Sequence, residues 1–323
     1  MRKLFYGFLI PAAAIAAAFL FGPREPADTT VTFDASKIGS DPEAYLAASE
    51  AEVAGIREGL QKEIVWAFPN SKAKTKLAIV YVHGFSASKG EIRPVPDRLA
   101  AALGANLFYT RLTGHGQNGP AMAVASVNAW VNDFAEALAI GKAIGEKTII
   151  VATSTGAGLA TIAAADPVLS KSIDAMIFVS PNYGVQASGS FLLTMPFGRQ
   201  MANLIIGPER EFTPVNDLHG KFWTPKYPTD AVLPMAALTK LAREAMVENI
   251  KTPTLFIFAM TDKVVQPSLT KERIARWGGK TDTLIVENPE DPYQHVIAGD
   301  ALSPGKTEEV TKKALEFVTG LGL

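Results

Sequence analysis

The sequence contains no cysteine, which removes disulfides, thiolate metal sites and thiol nucleophiles at once. That absence does not fix the compartment, because a chain of 323 residues can bury a core large enough to need no disulfide. Histidine is scarce. His83, His115, His219 and His295 are the only four, and no two are spaced as a helical H-x-x-x-H pair, so no metal is expected. Neither charge is in excess, with 31 Lys plus Arg against 32 Asp plus Glu. Without a basic stripe to neutralise phosphates, nucleic acid is not an expected partner. Repeats and low-complexity tracts are also missing. What remains, 48% hydrophobic and 20% charged, is the mixture of a folded globular chain.

One stretch lacks charge altogether. Met1-Arg2-Lys3 precedes eighteen uncharged, mostly apolar residues, Leu4 to Phe21. As a helix they reach ~27 Å, close to the hydrocarbon thickness of a bilayer. Two readings of residues 1–22 stand: a signal peptide cut near Ala16-Ala17-Ala18, and an uncleaved membrane anchor. The anchor is favoured, because cleavage leaves Phe19-Leu20-Phe21 exposed at the new terminus and no polar c-region precedes Pro23. Arg2 and Lys3 then put the N-terminus in the cytoplasm and the remaining chain on the extracytoplasmic side; a cut leader implies a secreted or periplasmic protein. Residues 23–61 read as a polar tether followed by a helix. Asp41-Pro42-Glu43 starts that helix, with Asp as cap, Pro in the first turn and Glu at the positive end of the dipole, and predicts helix over 42–60.

From Glu63 onward, β-rich apolar runs recur at 63–68, 77–82, 107–111, 148–152, 175–180, 255–260 and 283–287. Several are continuous, as in strands covered on both faces. Helical patterns separate them at 96–103, 127–144, 155–165 and 306–318. This alternation implies an α/β fold, a mostly parallel central sheet with helices on both faces. The 69 residues from Tyr183 to Lys251 break the rhythm. They carry Pro and Gly breakers, no clear strand, and apolar helical pieces at 191–206 and 235–247. Such an insertion follows the carboxyl end of a strand, where open α/β sheets bind ligands. Residues 183–251 are therefore expected to form a helical cap over a core built from 62–182 and 252–323.

The chemistry-bearing residues stand at strand ends. Ala152-Thr153-Ser154-Thr155-Gly156 follows an apolar strand and precedes a small-residue helix. A serine on such a sharp turn presents its hydroxyl above the sheet edge, beside the unpaired N–H groups of a helix start. Gly156 supplies the small flank that the turn needs, and Ala152 replaces the glycine of the usual G-x-S-x-G. A second loop, His83-Gly84-Phe85-Ser86, ends another strand. The Phe85 and Thr155 N–H groups are expected to face one point and form an oxyanion hole. A serine nucleophile needs a base, and the base an orienting acid. His295 follows the last strand and Asp262 the one before it. The order Ser154, Asp262, His295, with separations of 108 and 33 residues, suits this architecture. Glu287 and Asp291 are rival acids, but neither directly follows the penultimate strand. His83 is read as a loop-bracing residue. Phe191, Leu192, Met195 and Phe197 of the insertion are expected to line a substrate pocket, with packing of the cap onto the sheet as the competing reading.

These residues together resemble the α/β-hydrolase superfamily, within it the branch of monoacylglycerol lipases, carboxylesterases and serine aminopeptidase-like hydrolases. The resemblance runs from about Glu63 to the C-terminus. Arg111-Leu112-Thr113-Gly114-His115-Gly116 is similar to the branch's R-L-x-G-H-G loop, Trp130-Val131-Asn132-Asp133 to its W-x-x-D helix, and Ser180-Pro181 fits after the sixth strand. The resemblance implies that His115 braces a loop and that no cofactor is required. It implies a serine esterase acting on small-molecule or lipid-like esters through an acyl-enzyme. Aminopeptidase action, with Glu209 and Glu211 holding a substrate ammonium, acyl transfer, and a non-catalytic membrane-tethered binding role stay open. Oligomeric state is not legible.

Overall fold

The computed structural model describes residue 17 and residues 19–323, so the anchor-or-leader segment lies almost wholly outside the described residues. Among the described residues, no helix is long and apolar enough to cross a membrane. In chain order the strands are β1 (Glu63–Val65), β2 (Thr75–Val82), β3 (Asn106–Tyr109), β4 (Gly145–Thr153) and β5 (Ala175–Val179). Then come β6 (Glu209–Glu211) and β7 (Lys226–Pro228) in the long insertion, and finally β8 (Thr254–Phe258) and β9 (Thr281–Ile285). All but β6 and β7 join one seven-stranded sheet in the order β1-β3-β2-β4-β5-β8-β9. Only β1 runs antiparallel to its neighbour.

The helices are α1 (Pro42–Ala51), α2 (Val95–Leu103), α3 (Val127–Ile144), α4 (Thr155–Ala165), α5 (Gly198–Ile206), α6 (Asp217–Phe222), α7 (Val232–Glu244), α8 (Pro267–Arg276) and α9 (Thr307–Gly320). Strand alternation feeds two separate cores. Ala78, Val80, Val82 and Ile150 face Trp130 and Phe134 of α3 and Leu159 of α4. Leu77, Ile79, Tyr81 and Val151 face Leu99 of α2 and Phe317 of α9. With both faces covered, β2 and β4 read as continuous apolar runs. α3 forms because Ser126 caps it, accepting from the Ala129 N–H at 3.0 Å, and because apolar residues recur every three or four positions along one side.

The structure departs from the sequence reading in four places. Asp41 does cap α1, accepting from the Glu43 and Ala44 N–H groups, but the helix ends at Ala51. Gly55 and Gly59 then take positive φ values of 72° and 77°, which a helix cannot continue through. The stretch read as a tether instead lies along α3: Asn132 Oδ1 accepts from the Thr32 and Phe33 N–H groups, and Asn128 donates to the Thr30 carbonyl. The insertion contains a strand pair, β6 with β7, whose three-residue polar strands leave no apolar pattern. α8, polar and opened by Pro267, is likewise invisible to hydrophobic periodicity.

Candidate active site

β4 ends at Thr153 and α4 starts at Thr155, so Ser154 alone makes the turn. Its φ of 52° and ψ of −115° hold strain of about 1–3 kcal/mol. The turn is fastened on both sides. The Ser154 N–H donates to the Val179 carbonyl at 2.9 Å, and the Ser154 carbonyl accepts from the Ala157, Gly158 and Asn182 N–H groups. A Cβ on Gly156 would sit 2.5 Å from the Val82 carbonyl oxygen and 2.7 Å from that of His83. Ala152, by contrast, is an ordinary strand residue paired between Val82 and Phe178, and its methyl is accommodated.

The turn after β8 and the loop after β9 bring Asp262 and His295 to the same point. Ser154 Oγ lies 3.0 Å from His295 Nε2, and His295 Nδ1 lies 2.8 Å from Asp262 Oδ2. All three side chains are buried. Asp262 Oδ1 accepts from the Val264 and Val265 N–H groups at 2.7 and 2.9 Å, which fixes the carboxylate. Burial alone lowers the His295 pKa. The Asp262 carboxylate, reinforced by Glu91 and Asp291, outweighs it and holds the imidazole above the ordinary histidine value. Asp291, the rival acid, braces the loop instead: its Oδ2 accepts from the His295 and Val296 N–H groups, both at 2.9 Å. Glu287 is exposed.

The second loop packs directly on the serine, since a Cβ on Gly84 would come within 3.1 Å of Ser154 Cβ. Glu91 holds this loop, and the sequence reading missed it. Its Oε2 accepts from the Gly84 N–H at 2.7 Å and from the Tyr81 hydroxyl at 2.9 Å. Burial raises its pKa to about 7. The Phe85 and Thr155 N–H groups donate to no acceptor among the described residues. His83 is buried, with Nδ1 2.8 Å from the Gly84 carbonyl and Nε2 accepting from the Leu112 N–H. Burial and the neighbouring His115 keep it neutral. The loop after β3 is held from α3: Asp133 accepts from the Thr113 N–H and hydroxyl, and Trp130 Nε1 donates to the Thr113 carbonyl.

A cavity of about 640 Å³ opens beside Phe85 and beneath α5 and α7. Of the four expected lining residues only Leu192 borders it. Phe191 and Met195 border other cavities. Phe197 is 40% exposed and takes a φ of 60° at the start of α5, where its N–H donates to the Pro23 carbonyl. Ser190–Thr194 ahead of α5 form a 3₁₀ turn, so side-chain directions there do not follow an α-helical count. The apolar walls come instead from Ala202, Ile205 and Ile206 of α5, Met235 of α7, and Val264 beside Asp262. Glu209 and Glu211 turn away and pair with Lys226. Among the described residues, no three His, Asp or Glu side chains gather as a metal-binding group.

This mostly parallel sheet, with a serine, a histidine and an aspartate brought together at its strand ends, is the α/β-hydrolase fold. Residues 73–214 match the family model described as serine aminopeptidase, S33. That match covers 142 of the 323 residues. Among solved structures the chain resembles one from work on LipS and LipT, two metagenome-derived lipolytic enzymes, at 19% identity and a TM-score of 0.66, covering 81% of this chain and 98% of that one. It also resembles a monoglyceride lipase from Saccharomyces cerevisiae, at 13% identity and a TM-score of 0.58 over 81% and 92% of the two chains. A monoacylglycerol lipase from Paleococcus ferrophilus gives 15% identity and a TM-score of 0.57 over 81% and 98%. No curated protein matches the chain in sequence.

Proposed function

We propose that the protein is a serine hydrolase of carboxylic esters, carboxylesterase-like or monoacylglycerol lipase-like, working through an acyl-enzyme on Ser154. The observation that carries this reading is the continuous relay from Ser154 Oγ through both nitrogens of His295 to Asp262, at 3.0 and 2.8 Å. Ser154 Oγ attacks the ester carbonyl while His295 Nε2 takes its proton. The Phe85 and Thr155 N–H groups receive the oxyanion, a contribution of about 3–4 kcal/mol per donor in the transition state. The carbonyl–alcohol bond then breaks and the imidazolium returns the proton to the departing alcohol. Water, deprotonated by His295, attacks the acyl-serine; the acid leaves and Ser154 regains its hydroxyl. Asp262 holds the tautomer with Nδ1–H and offsets the imidazolium charge. The apolar cavity beside Phe85 supports an acyl or lipid-like chain, as do the lipolytic names of the structural neighbours.

Ser154→Ala tests this directly. The variant is expected to keep the wild-type circular dichroism spectrum and melting temperature while losing turnover of p-nitrophenyl acyl esters by several orders of magnitude. Wild-type rates in the folded variant would remove Ser154 from the mechanism. For the N-terminal segment the reading remains that of an anchor or leader that puts the hydrolase on the extracytoplasmic side. Its support is the uncharged run Leu4 to Phe21 behind Arg2 and Lys3.

A further inference from the structure

The cavity beside Phe85 combines apolar walls with a one-signed rim. Ile205, Ile206, Leu193, Val232 and Met235 supply the walls, and among the described residues the charged side chains of its lining are Arg210 and Lys263. An adjoining cavity of about 300 Å³ shares the wall 185–190 and adds Arg243 and Lys240, the latter paired with Glu244; among the described residues its lining holds no Asp or Glu.

The placement of Arg210 follows from strand geometry. β6 reads Glu209-Arg210-Glu211, and successive strand residues point to opposite faces. The two glutamates share one face, where both pair with Lys226 of β7. Arg210 takes the other face, toward the cavity, and beside Tyr227. The strand that seemed to offer carboxylates to a substrate ammonium therefore presents a guanidinium instead. Lys263 sits one residue past Asp262, and its Nζ donates to the Pro292 carbonyl at 3.0 Å. Among the described residues, neither Arg210 nor Lys263 has a carboxylate within ion-pair distance, whereas the neighbouring Lys226 is paired with Glu209 and Glu211. Two unneutralised cations beside an apolar cavity attract a ligand with an apolar body and a negative end, and repel an ammonium.

We propose that the substrates of this site are esters carrying an anionic group, a carboxylate, sulfonate or phosphate, on the chain that enters the apolar cavity, with Arg210 and Lys263 as its recognition pair. The proposal rests on the ester-hydrolase reading of Ser154, and it removes aminopeptidase action from the alternatives.

The test uses the full chain and three esters of one chain length: p-nitrophenyl octanoate, the p-nitrophenyl half-ester of suberic acid, and 4-sulfophenyl octanoate. The last two place the anion on the acyl side and the alcohol side. One of them is expected to exceed the neutral ester in kcat/KM by about tenfold, the scale of two partly exposed ion pairs. The advantage should shrink in 0.5 M NaCl, where the Debye length is about 4 Å against about 30 Å at 0.01 M ionic strength. In the Arg210→Gln, Lys263→Gln double variant the anionic-to-neutral ratio should fall toward one, and Arg210→Lys should restore part of it. A neutral ester preferred over both anionic ones, or a ratio untouched in the double variant, overturns the proposal while leaving the hydrolase reading intact. Failure to cleave any of the three overturns the hydrolase reading, and the proposal with it.

Discussion

In the proposed mechanism His295 acts as a base only when neutral, and its surroundings set the pH at which that holds. Asp262, Glu91 and Asp291 together outweigh burial and hold its pKa above 6.5. The kcat/KM profile should therefore rise with pH through an apparent pKa above that value. Glu91→Gln removes one negative neighbour, lowers the His295 pKa and moves the rising limb to lower pH; an unmoved limb would separate Glu91 from the base. The same residue carries a stability signature. Its pKa is raised from 4.5 to about 7 by burial, so the folded chain keeps a proton that the unfolded chain releases. This contribution to stability is whole below about pH 4.5 and is lost as pH rises to about 7. Glu91→Gln should flatten that slope in urea titrations. Glu91→Ala leaves the Gly84 N–H and the Tyr81 hydroxyl without their acceptor, at about 1–3 kcal/mol each, and should lower both the melting temperature and kcat. The convergence of Ser154, Asp262 and His295 was legible because each follows the end of a strand. Glu91 was not, because a lone glutamate in a loop gives no sign of burial until Tyr81 and Gly84 are seen to converge on it.

Among the elements, the β4–α4 turn depends on one missing side chain. Gly156→Ala puts a methyl within 2.5 Å of the Val82 carbonyl oxygen, and a backbone atom cannot rotate out of the way. The helix start must shift, costing about 1–3 kcal/mol and displacing the Thr155 N–H. The expected result is a lower melting temperature and a loss of kcat larger than the change in KM; an unaltered kcat would mean that the turn tolerates the shift. The parallel strands and α3 were readable in advance, because burial on both faces or along one stripe forces a pattern on the sequence. β6, β7 and α8 were not, since short polar elements are held by pairing and caps rather than by apolar burial. Phe191, Met195 and Phe197 show the same limit in side-chain direction: their apolarity was visible, but not that Leu192 alone of the four faces the cavity beside Phe85.

At the scale of the whole molecule, residues 28–33 and α1 are fastened to the hydrolase body. Asn132 binds the former, and Glu50 of α1 takes a buried bidentate pair from Arg111 at 2.7 and 3.0 Å. A chain lacking residues 1–22 should therefore fold and hydrolyse esters like the full chain, whereas truncation to residue 62 strips Glu50 from buried Arg111 and should destabilise the protein by about 3–5 kcal/mol. Equal melting temperatures for the two truncations would show that α1 is dispensable. The proposed hydrolysis requires Ser154 to be an activated nucleophile, which fluorophosphonate trapping followed by peptide mass mapping can establish. A single adduct is expected on Ser154, formed in the wild type and absent from folded His295→Ala. Adducts at another residue, or no adduct on the folded wild-type protein, would contradict it.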